Sequence, residues 1–328
     1  NHYPTVSLVF MAMLAFIALL ILTLLVADAD WIIQLNNSLH YFFNSLRSNR
    51  FDCFFSIILF SYSPLTLLST IVLFAILSLT FKKVRLFIYW IFVIVSTIII
   101  CGILNNLITS PYPPGNVLQQ AGSSFPSTTL ALMVSMLTFS SLLMSRNILH
   151  WPSILYRYFA LVLSLLSGIS ALYLGDYWFT DVLASMLIGI FCSLVNYIFY
   201  RRQPYIRSIS AYWILLIILV WTGGTFISAY FFLNQSMRSH RLVFTKKNIP
   251  MDQWWQQKAS SAFPRYRNNR LGIPVDLFNI QYVGSPSFLE NQLISAGWKR
   301  VNKSFWQVLL EKMNVSNVEK IKFLRFCL

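Results

Sequence analysis

The stretch SSFPSTTLAL, residues 123–132, lies between two long apolar runs and follows the polar segment SPYPPGN. Its serines, threonines and proline give way at Leu130 to apolar residues. A hydroxyl side chain next to a proline is typical of a helix start: Ser124 or Ser127 can cap the helix and Pro126 suits its first turn. The stretch therefore predicts the beginning of an apolar helix that leaves a polar loop.

The whole chain is strongly apolar. Of its 328 residues, 57% are hydrophobic and 11% are charged. Residues 6–27 contain no charged side chain, and the first one is Asp28. A soluble domain of this length needs charged residues over its whole surface, whereas a bilayer solvates long uncharged helices. The composition excludes a soluble globular protein and predicts a polytopic membrane protein.

Seven apolar runs have about the twenty residues that a helix needs to cross a ~30 Å hydrocarbon core. We therefore predict an all-α polytopic membrane bundle of about seven transmembrane helices. The first loop has apolar residues at helical spacing, which predicts an interfacial helix. The predicted spans are 6–27, 53–80, 86–108, 126–145, 153–174, 180–200 and 210–233.

Positive charges flank these spans unevenly. Eight Lys and Arg residues lie in the second, fourth and sixth loops, against two in the other three loops. Because basic loops stay in the cytoplasm, we predict a bacterial inner-membrane protein with a cytoplasmic amino terminus. The odd-numbered loops and the polar carboxy-terminal region then face the periplasm. The eight residues are Lys82, Lys83, Arg85, Arg146, Arg157, Arg201, Arg202 and Arg207.

The polar region from residue 234 to 328 has its own secondary-structure pattern. Side chains alternate over residues 277–282, which predicts a strand. Ser287 and Glu290 have the spacing of a capping box, and Gly297 can close the helix that follows. We predict a small α+β extramembrane domain.

This carboxy-terminal region is also basic. It holds fifteen of the 25 Lys and Arg residues but only five of the ten Asp and Glu residues. Because a membrane is tethered beside it, anionic lipid headgroups are the expected partners and nucleic acid is not. Within FPRYRNNR, residues 263–270, the side chains of Arg265, Arg267 and Arg270 either bind headgroups or form a solvated loop.

Cysteines and histidines form no metal-binding pattern. Cys53, Cys101 and Cys192 lie in apolar runs, and the sequence has neither a CxxC pair nor a histidine cluster. Structural zinc and haem need such clustered ligands. We therefore predict no metal and no cofactor.

Two stretches resemble one enzyme superfamily. SALYLGDYWFTDVLAS, residues 170–185, and FPSTT, residues 125–129, resemble motifs of the type 2 phosphatidic acid phosphatase and haloperoxidase superfamily. The resemblance implies a six-helix core that removes phosphate from lipid phosphates and polyprenyl pyrophosphates. In that superfamily one His attacks phosphorus, a second protonates the leaving group and an Asp orients a His. A Lys and two Arg neutralise the phosphoryl oxygens.

Most positions of those motifs hold other residues here. Ser127 and Asp181 are retained. Loss of the attacking imidazole alone costs many orders of magnitude in rate. The resemblance thus implies a degenerate phosphatase domain and favours a protein that is not an enzyme. The substituted positions are Asn105 for Lys, Tyr112 and Ala171 for Arg, Thr129 and Tyr177 for His, and Thr128 for Gly.

Asp181 has two interpretations. It occupies the superfamily's catalytic position, but beside Thr180 it can also cap the next helix and complement the helix dipole, which we favour. The aromatic residues in and near these motifs suit an acyl or isoprenyl chain. The predicted lipid-binding residues are Tyr112, Thr129, Tyr173, Tyr177 and Trp178.

A second resemblance covers the carboxy-terminal region. NIPMDQWWQQ, residues 248–257, and GIPVDLFNIQYVGSPSFLENQLISAGWKR, residues 272–300, resemble the LssY carboxy-terminal domain family. Three regions follow: a phosphatase-like membrane domain over 1–208, an extra transmembrane helix over 209–233 and an LssY-like soluble domain over 234–328. That family sometimes follows an amino-terminal DedA-like domain. A DedA-like domain or another membrane protein is therefore a candidate partner, and a first residue that is not Met fits a missing upstream segment.

Three functions are open at this point. The favoured one is a catalytically degenerate lipid-binding or envelope-assembly module, with membrane lipids such as polyprenyl phosphates as partners. The second is an active lipid phosphate or polyprenyl pyrophosphate phosphatase in which His240 or the arginine segment replaces the lost residues. The third is a component of lipid-phosphate transport, which the near absence of charge in helices three to six disfavours.

Overall fold

The computed structural model describes residues 3–28, 30–114, 122–144, 150–202, 211–240, 266–268, 274–277 and 284–298. The chain divides after Val243 into two compact units, residues 1–243 and 244–328, which are described separately.

The described part of the first unit is helical. Nine helices follow one another, and a 3-10 turn over Phe60–Tyr62 separates the third from the fourth. They are α1 (Tyr3–Asp28), α2 (Asp30–Ser45), α3 (Asn49–Leu59), α4 (Pro64–Thr80), α5 (Val84–Leu107), α6 (Thr128–Met144), α7 (His150–Leu174), α8 (Phe179–Arg201) and α9 (Ala211–Ser239).

The predicted membrane bundle is confirmed, with fewer full-length spans than the seven expected. Among the described residues, the helices α1, α5, α7, α8 and α9 are long and apolar enough to cross a membrane. A sixth span arises if α3 and α4, which are bent by 40°, count as one. The predicted span over 126–145 forms α6, which has 17 residues.

The bend between α3 and α4 was not anticipated. Its cause is local: Ser63 has extended backbone angles and its hydroxyl accepts a bond from the Thr66 amide at 3.4 Å, while Pro64 occupies the first turn of α4. A cap followed by proline starts a new helix even inside an apolar run. Helix α9 packs against this break, where the Trp221 indole donates to the Ser61 carbonyl at 3.1 Å.

Helices α6 and α8 form the centre of the bundle. They approach so closely that a β-carbon on Gly189 would lie 2.8 Å from the Val134 β-carbon. The Ser193 hydroxyl of α8 donates to the Ser135 carbonyl of α6 at 2.8 Å. Small residues allow helix backbones to meet in a bilayer, where no hydrophobic force drives association.

The two ends of the bundle differ in chemistry. The rings of Tyr89 and Tyr200 lie 5.4 Å apart, which places the start of α5 beside the end of α8 and gathers basic residues there. These are Lys82, Lys83, Arg85, Arg201 and Arg202. At the opposite end, His240 after α9 contacts Asp176 between α7 and α8. The last helix therefore ends on the side of the motif loops, as predicted; which side of a membrane this is stays a prediction.

The first loop forms the helix that its pattern predicted. Helix α2 buries Ile32 and His40 and leaves Trp31 exposed. The Asn36 side chain donates to the Thr180 hydroxyl at 3.0 Å and accepts from the Thr180 amide at 3.3 Å. These bonds fix α2 to the beginning of α8, at the motif end of the bundle.

The described part of the second unit contains two short strands and a helix. Strand β1 (Tyr266–Asn268) pairs antiparallel with β2 (Pro274–Leu277), and α10 spans Pro286–Ser295. Gly297, with φ +88°, ends α10 as predicted, and the Trp298 amide donates to the Leu293 carbonyl at 3.0 Å, as in a Schellman motif.

The predicted start of that helix was wrong by two residues. Ser285, not Ser287, is the N-cap, because Pro286 takes the first helical position. Most of the strand predicted over 277–282 lies outside the described residues. The α+β class of this region and its LssY-like character stay predictions.

Candidate functional site

Two chain segments meet beside the start of α6. The Ser124 amide donates to the Ser110 carbonyl at 2.8 Å, and the Ser123 hydroxyl donates to the Ile108 carbonyl at 2.6 Å. The Ser123 oxygen also accepts from the Ser110 amide at 3.0 Å. The serines that precede α6 therefore serve first to fasten this loop to the end of α5.

Ser127 lies directly before α6. Its carbonyl accepts the Ala131 amide at 3.0 Å, so the backbone starts the helix at this residue. Its side chain is 1% exposed, and its hydroxyl faces the Tyr177 phenol, whose pKa a hydrogen bond with Ser127 lowers against the larger effect of burial. The prediction that the Ser127 hydroxyl caps α6 is therefore wrong. The Ser124 hydroxyl donates instead to Ser110 at 3.1 Å.

Asp181 is buried and caps α8. Its side chain is 0% exposed, and one carboxylate oxygen accepts the Trp178 amide at 3.2 Å. A carboxylate at the third helical position that bonds back to the N-cap amide is half of a capping box, and its charge complements the helix dipole. The predicted capping role is confirmed. Asp181 forms no salt bridge with any described residue.

Tyr112 and Tyr177 form the aromatic part of the site. Their ring centroids are 6.1 Å apart. Burial raises the pKa of Tyr177 to about 12. Burial, and next the Asp181 carboxylate, also raise the pKa of Tyr112. Both phenols are therefore neutral near pH 7 and offer hydrogen bonds but no positive charge.

Trp178 and His40 close one side of the site. The Trp178 indole donates to the Pro111 carbonyl at 2.7 Å, and its ring centroid lies 5.5 Å from that of His40. Burial lowers the pKa of His40. A β-carbon on Gly175 would meet this imidazole at 3.2 Å, and the φ of +78° at Gly175 favours glycine there.

A charged cluster lies on the other side of the same loop. The His240 Nε2 atom is 2.8 Å from the Asp176 carboxylate, and its Nδ1 atom is 2.8 Å from the Ser236 carbonyl. Arg47 donates to the His240 carbonyl and pairs with Asp52 at 3.3 Å. Burial lowers the pKa of His240, but its bond to Asp176 and that carboxylate's charge outweigh burial, so the pKa is raised. Neighbouring oxygen atoms therefore engage both ring nitrogens of His240.

Two of the predicted residues lie away from the aromatic pair. Tyr173 is 2% exposed and faces α3, where its hydroxyl donates to Asp52 at 2.9 Å and accepts the Ser48 amide at 2.9 Å. Its hydroxyl is therefore already engaged. Ala171 is 0% exposed and belongs to the hydrophobic core of the bundle.

The remaining predicted residues have fewer contacts. Asn105, Thr128 and Thr129 are half-buried at the end of α5 and the start of α6. Arg267 lies in β1, opposite Asp276, whereas Arg265 and Arg270 lie outside the described residues. No group of three His, Cys, Asp or Glu side chains in the described ranges could hold a metal ion.

Comparisons with known proteins agree with this architecture. Residues 88–205 match the family described as PAP2 superfamily, which confirms the predicted superfamily for that stretch. The fold is similar to the crystal structure of a transmembrane PAP2 type phosphatidylglycerolphosphate phosphatase from Bacillus subtilis. That similarity covers 60% of this chain and 100% of the other, with 18% identity and a TM-score of 0.56. LpxE from Aquifex aeolicus matches over 48% of this chain and 92% of its own, with 22% identity and a TM-score of 0.39. No curated protein matches the chain.

Proposed function

We propose that this protein is a catalytically inactive phosphatase-like protein that binds lipid. The premise is that residues 88–205 form a PAP2 superfamily domain. With the predicted orientation in a bacterial inner membrane, the binding site faces the periplasm. The observation that carries the proposal is the contact between Tyr112 and Tyr177, at positions where the superfamily has an Arg and a His.

The charge of the site argues against a bound phosphate. Phosphoryl transfer needs cations on the phosphoryl oxygens, because charge spreads over them in the transition state. Tyr112 and Tyr177 are neutral phenols, and the nearby Asp181 carboxylate has no cationic partner among the described residues. A phosphate placed beside these three side chains would therefore meet no positive charge from them.

Packing argues the same way. Ala171 takes the position of an Arg of the superfamily, and it is fully buried in the core. Tyr177 packs against that core cluster. Close-packed interiors leave no room for a guanidinium without displacing neighbours. Packed, uncharged side chains therefore occupy the positions at which the superfamily has an Arg and a His.

The remaining groups suit a lipid with a small polar end. Tyr112, Tyr177 and Trp178 offer aromatic surface for an acyl or isoprenyl chain. The Ser127 hydroxyl lies beside the Tyr177 phenol, and this pair of hydroxyls can bond one polar atom of such a ligand.

Photocrosslinking tests this binding. The purified full chain is labelled with a diazirine-bearing prenol and with its monophosphate, and labelled peptides are identified by mass spectrometry. Labelling near residues 105–112 and 175–178 is expected, at similar yield for both probes, and it should fall several-fold in a Tyr112→Ala, Tyr177→Ala double variant. Tyr230→Ala, on a side chain that is 85% exposed, is the matched control. Unchanged labelling in the double variant would refute the proposal.

A second candidate is an active phosphatase that uses residues outside the superfamily motifs. One observation favours it: His240 contacts Asp176, directly beside Tyr177. The double engagement of the His240 ring opposes it, because a nucleophile needs a free lone pair. If this candidate were right, purified protein would release phosphate from phosphatidic acid or undecaprenyl pyrophosphate, and His240→Gln would abolish the release.

A further inference from the structure

A groove runs between α1 and α8 on the apolar surface of the bundle. Its volume is about 350 Å³. The two helices are antiparallel, since Ala12 packs with Ile198 while Leu19 packs near Ile188. The lining side chains are all apolar and include Val9, Met13 and Phe16 from α1 and Phe191, Val195 and Phe199 from α8.

The length of the groove matches one leaflet. The lining residues of α8 run from Phe191 to Phe199, which is about 12 Å at a rise of 1.5 Å per residue. Half of a ~30 Å hydrocarbon core is about 15 Å. The rings of Phe16 and Phe191, 5.4 Å apart, close the end of the groove near the middle of α8. One acyl chain of one leaflet fits this space.

Arg202 stands at the other end of the groove, and Arg201 precedes it in the chain. The Arg202 guanidinium carbon is 5.8 Å from the ring centre of Phe199, a lining residue. The guanidinium carbon of Arg201 is 5.9 Å from the ring centre of Tyr197, which belongs to the core beside the groove. Neither arginine forms a salt bridge with a described residue. Guanidinium groups bind phosphate oxygens in a planar, bidentate manner.

We propose that this groove binds an anionic diacyl phospholipid, with one acyl chain between α1 and α8 and the phosphate at Arg201 and Arg202. This groove is separate from the proposed lipid-binding site around Tyr112 and Tyr177, which lies at the opposite end of the bundle. Charge and length both select this occupant over a partner helix. A helix would be expected to cover the whole of α8, about 35 Å at 1.5 Å per residue, and would leave the two arginines without an anion.

Native mass spectrometry of the full chain in detergent tests the proposal. Phosphatidylglycerol and phosphatidylcholine with identical acyl chains are titrated against the wild type, and phosphatidylglycerol should bind more tightly. In the double variant Arg201→Gln, Arg202→Gln, the ratio of the affinities for phosphatidylglycerol and phosphatidylcholine should fall by roughly tenfold or more. Lys82→Gln, Arg85→Gln removes the same charge from the same end of the bundle and should keep the preference.

A second variant tests the groove itself. Val195→Trp fills the groove without removing a charge, and it should weaken binding of both lipids. Thermal unfolding of each variant verifies that it folds. The proposal is overturned if the two double variants lose equal affinity, if Val195→Trp leaves lipid binding unchanged, or if the groove variants instead alter a dimer population.

Discussion

Replacing Gly189 with Ala would place a methyl group in the close contact between α6 and α8. The new β-carbon would lie 2.8 Å from the Val134 β-carbon and 2.9 Å from the Ala131 carbonyl oxygen. Carbon atoms in favourable contact are about 3.5–4.0 Å apart. Neither neighbour is the end of a flexible side chain, so α6 and α8 must separate to admit the methyl group.

The size of the effect follows from two opposing terms. Overpacking of a close-packed core costs about 1–3 kcal/mol, whereas Ala in place of Gly in a helix contributes about 0.5–1 kcal/mol of stabilisation. At the middle of these two ranges a net loss of about 1 kcal/mol remains. At roughly 2–4 °C per kcal/mol for a unit of this size, the Tm should fall by about 2–5 °C. Tryptophan fluorescence during heating in detergent, at a fixed scan rate, measures it.

Two other helical glycines provide the controls. At Gly102 in α5 and at Gly223 in α9, an added β-carbon would meet nothing within 4 Å. Ala at either position should leave the Tm unchanged or raise it. If Gly189→Ala raises the Tm, or if all three variants behave alike, the reasoning about a close approach of α6 and α8 is refuted.

Two further predictions concern contacts of α9 and the residue that follows it. Because Asp176 raises the pKa of His240 in the folded state, that stabilisation is complete below about pH 6.5 and is lost as pH rises through the folded pKa. The Tm should therefore fall across that range in the wild type and not in Asp176→Asn; equal pH profiles would contradict this. Trp221→Phe leaves the buried Ser61 carbonyl without its donor, at a cost of about 1–3 kcal/mol. Trp31→Phe, at a side chain 56% exposed, should have no such effect, and equal Tm losses for the two would argue against the bond.

Much of the helical architecture could be predicted because a helix that crosses a bilayer needs about twenty consecutive apolar residues. Each of the seven apolar runs became a helix or a helix pair. The break at Ser63 and Pro64 was missed because the surrounding residues are uniformly apolar and run length alone does not show a cap. Helix α6 was predicted too long at its start, since the polar residues up to Ser127 belong to the loop that fastens it.

The candidate site was also only partly predictable from the sequence. Asp181 as a helix cap followed from its spacing to the start of α8, which is local information. The contact between His240 and Asp176 joins residues 64 positions apart, and that between Arg47 and His240 joins residues 193 apart. Such contacts depend on how helices pack, so no local pattern could reveal them. Tyr173 was assigned to the mouth because it lies in the motif, but the helical turn points it towards α3.

Phosphate release by the purified protein tests the central claim most directly. Phosphatidic acid, phosphatidylglycerophosphate and undecaprenyl pyrophosphate are supplied in detergent, and the Bacillus subtilis phosphatase serves as the positive control on its own substrate. We predict no release above the detergent blank from any of the three, although thermal unfolding shows that the protein is folded. Release above the blank that disappears in Asp181→Ala would contradict the account, because the scaffold would then still perform chemistry.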